Sequence, residues 1–150
     1  MDVSAKLNWT DELRFSASVQ DGRALKLNSA DDMGEAFTPM ELFLLALAGC
    51  TAMDVQWIMT KQRRKVDRFE ISVKGIRREE DPRYYERIDL EYAITGDNIT
   101  KNTVEHAIRL SQEKYCSVRA MLNEDVKLHI AYVIDDGKGA QQRFMFNEQI

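Results

Sequence analysis

One stretch limits the folds open to this chain more than any other. Residues 38–55 carry its most apolar run, and they begin with a helix-start signature. Thr38 stands where an N-cap is wanted, Pro39 follows at the first helical position, and Glu41 sits three residues after Thr38. That pattern predicts a capping box, which satisfies backbone N–H groups otherwise left without partners. Ala46, Cys50, Met53 and Trp57 recur at steps of four, three and four, so they are expected on one face. The helix is expected to run to about Lys61, where Lys61, Arg63, Arg64 and Lys65 suit the negative end of its dipole. Apolar or small residues lie on both sides of Cys50, so the helix reads as buried and central, with a thiol in its middle.

The surrounding chain reads as strands. Residues 6–9 are a short extended piece. Leu13, Phe15, Ala17 and Val19 alternate with polar residues, Asp21-Gly22 marks a hairpin turn, and residues 24–27 return. Residues 29–37 read as a loop into the helix. Beyond it, residues 69–76 alternate with period two, residues 77–84 form a charged hairpin connection, and Ile88, Leu90, Tyr92 and Ile94 share one face of the next strand. A second helix starts near Thr100, capped by Asn98 or Thr100, with Val104, Ala107, Ile108, Ser111 and Tyr115 at helical spacing. Ser117 can cap a short helix over 118–122, which leaves Cys116 at a junction. Residues 126–134 make a final strand and 135–150 a tail, in which residues 143–146 add a short strand or pack on a partner. The class is α+β, with antiparallel strands. So apolar a helix cannot cover one small sheet and still face water, and a homodimer wrapping two such helices solves that burial problem.

With 150 residues, 44% hydrophobic and 31% charged, the chain is expected to form a single domain, 1–150. A net charge of −4 and a pI near 5.3 argue against nucleic acid as a partner. The N-terminus is polar and lacks a signal peptide's apolar core. The run 40–48 is shorter than the roughly 20 apolar residues of a membrane span. No membrane association and a cytoplasmic location are the expectations. In that setting two cysteines are reduced or catalytic rather than a permanent bridge. His106, His129 and the cysteines show no close metal-ligand spacing, so no metal is expected.

Cys50 is open to two readings. A free cysteine is commonly a small buried hydrophobe. As a nucleophile, Cys50 lies too far along the helix to gain from its dipole and needs a cation from elsewhere. Arg14 and Arg23, flanking the Asp21-Gly22 turn, are candidates, as are Arg77, Arg78, Arg83 and Arg87. Cys116, at its junction, is placed for the N–H groups of the following turn to lower its pKa.

Two segments resemble the cysteine motifs of the OsmC/Ohr family. They are Pro39-Met40-Glu41-Leu42 with Ala48-Gly49-Cys50-Thr51-Ala52-Met53-Asp54-Val55, and Ala107-Ile108-Arg109-Leu110-Ser111 with Lys114-Tyr115-Cys116-Ser117-Val118. The resemblance spans residues 7–134. It implies an OsmC-like fold, antiparallel sheets wrapped around a long central helix in an intertwined homodimer, with sites at the subunit interface. It further implies reduction of organic hydroperoxides, with Cys50 as peroxidatic thiol and Cys116 as resolving thiol. A Cys50–Cys116 disulfide would be reset by a thiol or dithiol reductant, and no metal, haem or flavin cofactor is needed. Peroxidase branches carry a glutamate directly after the motif's proline, to position an arginine. Here Met40 holds that place and Glu41 follows, about 100° round the helix. The chain is thus nearer the OsmC-like branch, with Arg14, Arg23 and Glu41 as the candidate supporting residues. A second class of function uses the same thiols: a non-enzymatic dimer that binds an apolar small molecule or senses redox state.

Overall fold

The computed structural model describes residues 1–29 and 34–146. Part of the expected 29–37 loop, residues 30–33, and the last four residues of the tail lie outside them. Contacts divide the chain into two compact units, Met1–Phe43 and Leu44–Ile150.

The first unit holds a three-stranded antiparallel sheet, β1 (Ala5–Asp11), β2 (Arg14–Val19) and β3 (Ala24–Asn28), in that order. The Asp21-Gly22 turn joins β2 to β3, with Gly22 at φ 86°, a conformation glycine adopts freely. The register sets Leu7 against Ala17, Trp9 against Phe15, and Leu25 and Leu27 against Ala17 and Phe15. The pleat therefore gathers one apolar face, on which Leu7, Trp9 and Leu25 are exposed.

Helix α1 (Pro39–Lys61) begins in this unit and continues into the second. The predicted capping box is present. The Glu41 N–H donates to Thr38 Oγ1 at 3.2 Å, and the Thr38 N–H donates to Glu41 Oε2 at 2.8 Å, a device worth about 1 kcal/mol. The helix closes where expected. Arg63 turns left-handed at φ 57° and the Arg64 N–H reaches the Met59 carbonyl.

The second unit is a four-stranded sheet, β4 (Lys65–Arg77), β5 (Tyr85–Asp97), β6 (Lys127–Asp135) and β7 (Gln141–Phe146), in that order. β4 starts four residues earlier than its period-two pattern indicates. The charged connection joins β4 and β5 as an antiparallel hairpin. β5 and β6, however, pair in parallel, Ile88 against Leu128 through Thr95 against Asp135. The expectation of purely antiparallel sheets is corrected here. A helical crossover between the two strands permits the parallel pairing. The expected tail in fact supplies β7, antiparallel to β6, with Tyr132 opposite Phe144 and their rings stacked at 5.2 Å.

The crossover contains α2 (Lys101–Leu110), a π-helical turn over Ser111–Tyr115, and α3 (Ser117–Ala120). Thr100 is the α2 N-cap, paired reciprocally with Thr103. The core comprises Ile88, Leu90, Tyr92 and Ile94 on β5, Val104, Ala107 and Ile108 on α2, and Leu47, Val55, Ile58 and Met59 on α1.

The buried face of α1 differs from expectation. Leu47, Thr51, Val55 and Ile58 face inward, while Met53 is 75% and Trp57 51% exposed. The helix is apolar nearly all round, so hydropathy alone does not choose a face. With 23 residues and an 18-residue stretch of mean hydropathy 1.6, α1 is also long and apolar enough to cross a bilayer by length and composition, unlike the run 40–48 taken alone. Core helices of globular proteins share that property.

Gly96, opposite Val66 where β4 and β5 meet, has no room for a side chain: a Cβ there would strike the Lys65 carbonyl. Backbone cannot yield as a side chain tip can. Gly96→Ala is expected to cost about 1–3 kcal/mol and to lower the thermal midpoint by roughly 2–12 °C at about 2–4 °C per kcal/mol, read by calorimetry.

Candidate functional site

Both cysteines lie in the second unit, and the fold brings them together. Cys50 is half-buried on α1. Cys116 is 3% exposed and follows the π turn. The Cys116 N–H donates to the Ser111 carbonyl at 2.9 Å, the five-residue closure that defines that turn. Cys116 then leaves helical geometry (φ −70°, ψ 99°) and caps α3, its Sγ accepting the Arg119 N–H at 3.4 Å.

Asp54 joins them, one turn beyond Cys50 on the same side of α1. A ligand atom from each of Cys50, Asp54 and Cys116 lies within 4.8 Å of the other two. The lack of metal-ligand spacing in the sequence is thus offset by the fold, which assembles two sulfurs and a carboxylate. The signal was Cys-x-x-x-Asp, an i, i+4 pair on a helix.

A buried hydrogen-bond network holds Asp54. Thr51 Oγ1 lies 2.6 Å from Tyr92 Oη and 2.8 Å from Ser111 Oγ. Gln112 Nε2 donates to Thr51 Oγ1 at 3.0 Å and to Tyr92 Oη at 3.3 Å. Ser111 Oγ donates to Asp54 Oδ2 at 2.9 Å. Each hydroxyl has one proton, so the directions follow. Ser111 gives its proton to the carboxylate and must accept from Thr51. Thr51 in turn accepts from Tyr92 and from Gln112. The chain runs Tyr92, Thr51, Ser111, Asp54, every dipole aimed at the carboxylate. Sequence reasoning placed Ser111 and Tyr92 only as periodic positions and passed over Thr51 and Gln112. Gln112 Oε1 is buried and has no hydrogen-bond partner among the described residues.

The electrostatics correct one expectation. The backbone donor at Arg119 favours the Cys116 thiolate, as a junction should, but burial acts more strongly the other way. With Cys50 and Asp54 adding to it, the Cys116 pKa is pushed up to about 12. Among the described residues no cation figures in these influences. Asp54 is also raised above the ordinary carboxylate range, by desolvation that outweighs the Ser111 donation. On the outer side, the Trp57 and Tyr115 rings meet edge to face at 5.7 Å, tying α1 to the π turn.

Of the other candidates, Arg77, Arg78, Arg83 and Arg87 lie in the second unit, engaged with the Arg83 carbonyl, Glu80, Asp81 and Asp89 respectively. Arg14, Arg23 and Glu41 lie in the first unit, each engaged locally. Arg14 pairs with Glu12 at 2.8 Å and Asp11 at 3.4 Å. Arg23 pairs with Asp21 at 2.7 Å and is 83% exposed. Glu41 is held by the capping box with Thr38.

Two sheets, a long helix with a cysteine in its middle and a second cysteine delivered to it by a crossover define a recognised class. Residues 31–131 match the family described as OsmC-like protein, and the chain belongs to that family. Among individual relatives, the protein YhfA of Escherichia coli K12 is 36% identical over 134 residues, covering 88% of this chain and 98% of that protein. A hypothetical protein from Aquifex aeolicus superposes with a TM-score of 0.81 at 31% identity, over 90% of this chain and 97% of its own. An organic hydroperoxide resistance protein OsmC from Legionella pneumophila shares the fold at 15% identity (TM-score 0.69, 91% and 98% covered).

Thr51 is the hub of the network. Thr51→Val keeps the shape and removes the hydroxyl, leaving Tyr92 and Ser111 with buried unmet groups at roughly 1–3 kcal/mol. The expected result is a thermal midpoint lower by about 2–12 °C, with the far-ultraviolet circular dichroism unchanged.

Proposed function

We propose that this protein is a thiol-dependent peroxidase that reduces organic hydroperoxides with Cys50 and Cys116. The observation that carries the reading is the direct approach of two free thiols supplied by separate elements. Membership of the OsmC-like family supports it, as does the fold shared with the Legionella organic hydroperoxide resistance protein.

In this scheme the Cys50 thiolate attacks the distal peroxide oxygen. The O–O bond breaks, an S–O bond forms, and the alcohol leaves with a proton. Cys50 becomes a sulfenic acid, oxidised by two electrons. The Cys116 sulfur then attacks Cys50 Sγ, the S–O bond breaks, and the departing hydroxide takes the Cys116 proton to leave as water. A resolving thiol that stays protonated until this step suits the raised pKa of Cys116. A thiol or dithiol reductant reopens the disulfide by exchange. Half-buried Cys50 is the first point of attack because Cys116 is closed to solvent. Arg14 and Arg23 are the arginines that the family resemblance offers to the Cys50 anion. Glu41, engaged with Thr38, has a structural task that is already sufficient to explain it.

The working unit in this proposal is a homodimer, cytoplasmic, without cofactor. The exposed apolar groups support it: Leu7, Trp9 and Leu25 on the first sheet, and Met53 and Trp57 on α1. Met53 and Trp57, close in sequence to Cys50, also favour a second reading, a dimer that binds an apolar ligand or senses redox state. A change in Trp57 fluorescence with acyl compounds, without turnover, would mark it.

The test is a thiol count on reduced protein before and after one equivalent of tert-butyl hydroperoxide. Both thiols should disappear as one peroxide is consumed. Cys50→Ser should consume none, and Cys116→Ser should yield a sulfenic acid trapped by dimedone at Cys50. Survival of both thiols with peroxide intact would overturn the reading.

A further inference from the structure

From the cluster itself we infer that reduced Cys50, Asp54 and Cys116 form a binding site for a zinc-class divalent cation. This goes beyond the peroxidase reading and does not depend on it. Three features of the second unit point to it.

The first is geometry. A tetrahedral zinc ion with bonds of about 2.3 Å to sulfur and about 2.0–2.2 Å to a carboxylate oxygen sets its donors roughly 3.5–3.8 Å apart. The donors here all lie within 4.8 Å of one another, so closing on an ion asks for shifts of about 1 Å, within side-chain reach. Cys50 and Asp54 come from consecutive turns of one rigid helix, and Cys116 from the end of the π turn.

The second is the support of the carboxylate. Asp54 Oδ2 accepts from Ser111 Oγ, itself fixed by Thr51, Tyr92 and Gln112. Ligating carboxylates are typically oriented by outer hydrogen bonds of this kind, and their loss costs metal affinity. The network has one end in the core and the other on the carboxylate.

The third is the absence of a competing positive charge. Among the described residues no lysine, arginine or histidine forms an ion pair with Asp54, whose carboxylate accepts from the Ser111 hydroxyl. The pair of sulfurs selects against magnesium and calcium, which want oxygen, and in favour of borderline and soft ions. Three protein donors leave a fourth position open, as in catalytic rather than structural zinc sites.

Binding balances as follows. One M²⁺ displaces one proton from each thiol and joins the two thiolates and the Asp54 carboxylate, giving a complex of net charge −1 and two released protons. The disulfide cannot hold the ion, since both sulfurs are spent on each other. Metal and peroxide therefore compete for the reduced pair, and the ion withholds both thiols from oxidation.

The experiment titrates the full-length reduced protein with CoCl₂, then ZnCl₂, under a non-chelating phosphine reductant, with no peroxide present. Expected are one Co²⁺ per chain, a sulfur-to-cobalt charge-transfer band in the near ultraviolet, and its displacement by Zn²⁺. Zn²⁺ should protect both cysteines from alkylation, and EDTA should restore alkylation. Cys50→Ser and Cys116→Ser should each weaken the band. Asp54→Asn should bind at least tenfold more weakly while its thermal melt stays cooperative. Asp54→Glu, which keeps a carboxylate, tests the same donor if the asparagine variant does not fold. No saturable binding with a sulfur band, or equal affinity in a folded Asp54→Asn, would overturn the site. Peroxide consumption by metal-free protein is read separately, so either proposal can fail alone.

Discussion

The Thr51 hydroxyl settles how the rest of the second unit is arranged. A helix as evenly apolar as α1 can rotate about its axis at little hydrophobic cost. A buried hydroxyl does not tolerate that freedom, because leaving it unpaired costs about 1–3 kcal/mol. Its partners are Tyr92 in the middle of β5 and Ser111 and Gln112 in the π turn. Once Thr51 faces them, Cys50 and Asp54 both lie to the same side of it, about 100° and about 60° round the helix, so both come to the border of the buried face. The thiol's half-buried state follows from its neighbour's need for hydrogen bonds.

The π turn meets that need from the other side. Ser111 and Gln112 are consecutive, yet both reach the same Thr51 oxygen. Successive side chains of a regular α-helix diverge by about 100°. A widened turn changes that spacing, and its closing bond, from the Cys116 N–H to the Ser111 carbonyl, also ends the helical run. The same irregularity therefore supplies the network's donors and sets Cys116 at the break. π turns concentrate at functional sites, and this one ends at Cys116, beside Cys50 and Asp54.

Much of this was legible in the sequence. Thr38, Pro39 and Glu41 announced the start of α1, and the basic run its end, because capping is local chemistry. The β4–β5 hairpin showed in the alternation of residues 69–76 and 88–94, and Thr100 in its cap position. The cysteine pair came from the resemblance of two motifs, since spacing in the chain says nothing of distance in the fold. The buried face of α1 was misjudged for a physical reason: Ala46, Cys50, Met53 and Trp57 recur at helical spacing on a helix that is apolar nearly all round, and the buried hydroxyl of Thr51 chooses the orientation instead. The parallel β5–β6 pair had a signal in the strand–helix–strand order of residues 85–135, which favours a crossover. The π turn had none, because an i→i+5 bond leaves no periodic trace over five residues.

Among the described residues the cysteine cluster is short of positive charge. Two sulfurs and a carboxylate meet in a partly buried place where every hydroxyl dipole is already committed along the line to Asp54. A thiolate formed there needs compensation. For Cys116 the need does not arise while it stays a thiol, because burial keeps it protonated. For Cys50 an anion has to be met by a cation from outside this cluster. An arginine would meet it and leave the sulfur open to peroxide. A divalent ion would meet it for all three ligands at once and close the sulfur off. The two ways of supplying charge thus lead to opposite reactivities of the same thiol, and the position of Asp54 makes the second available where a cysteine pair alone would not.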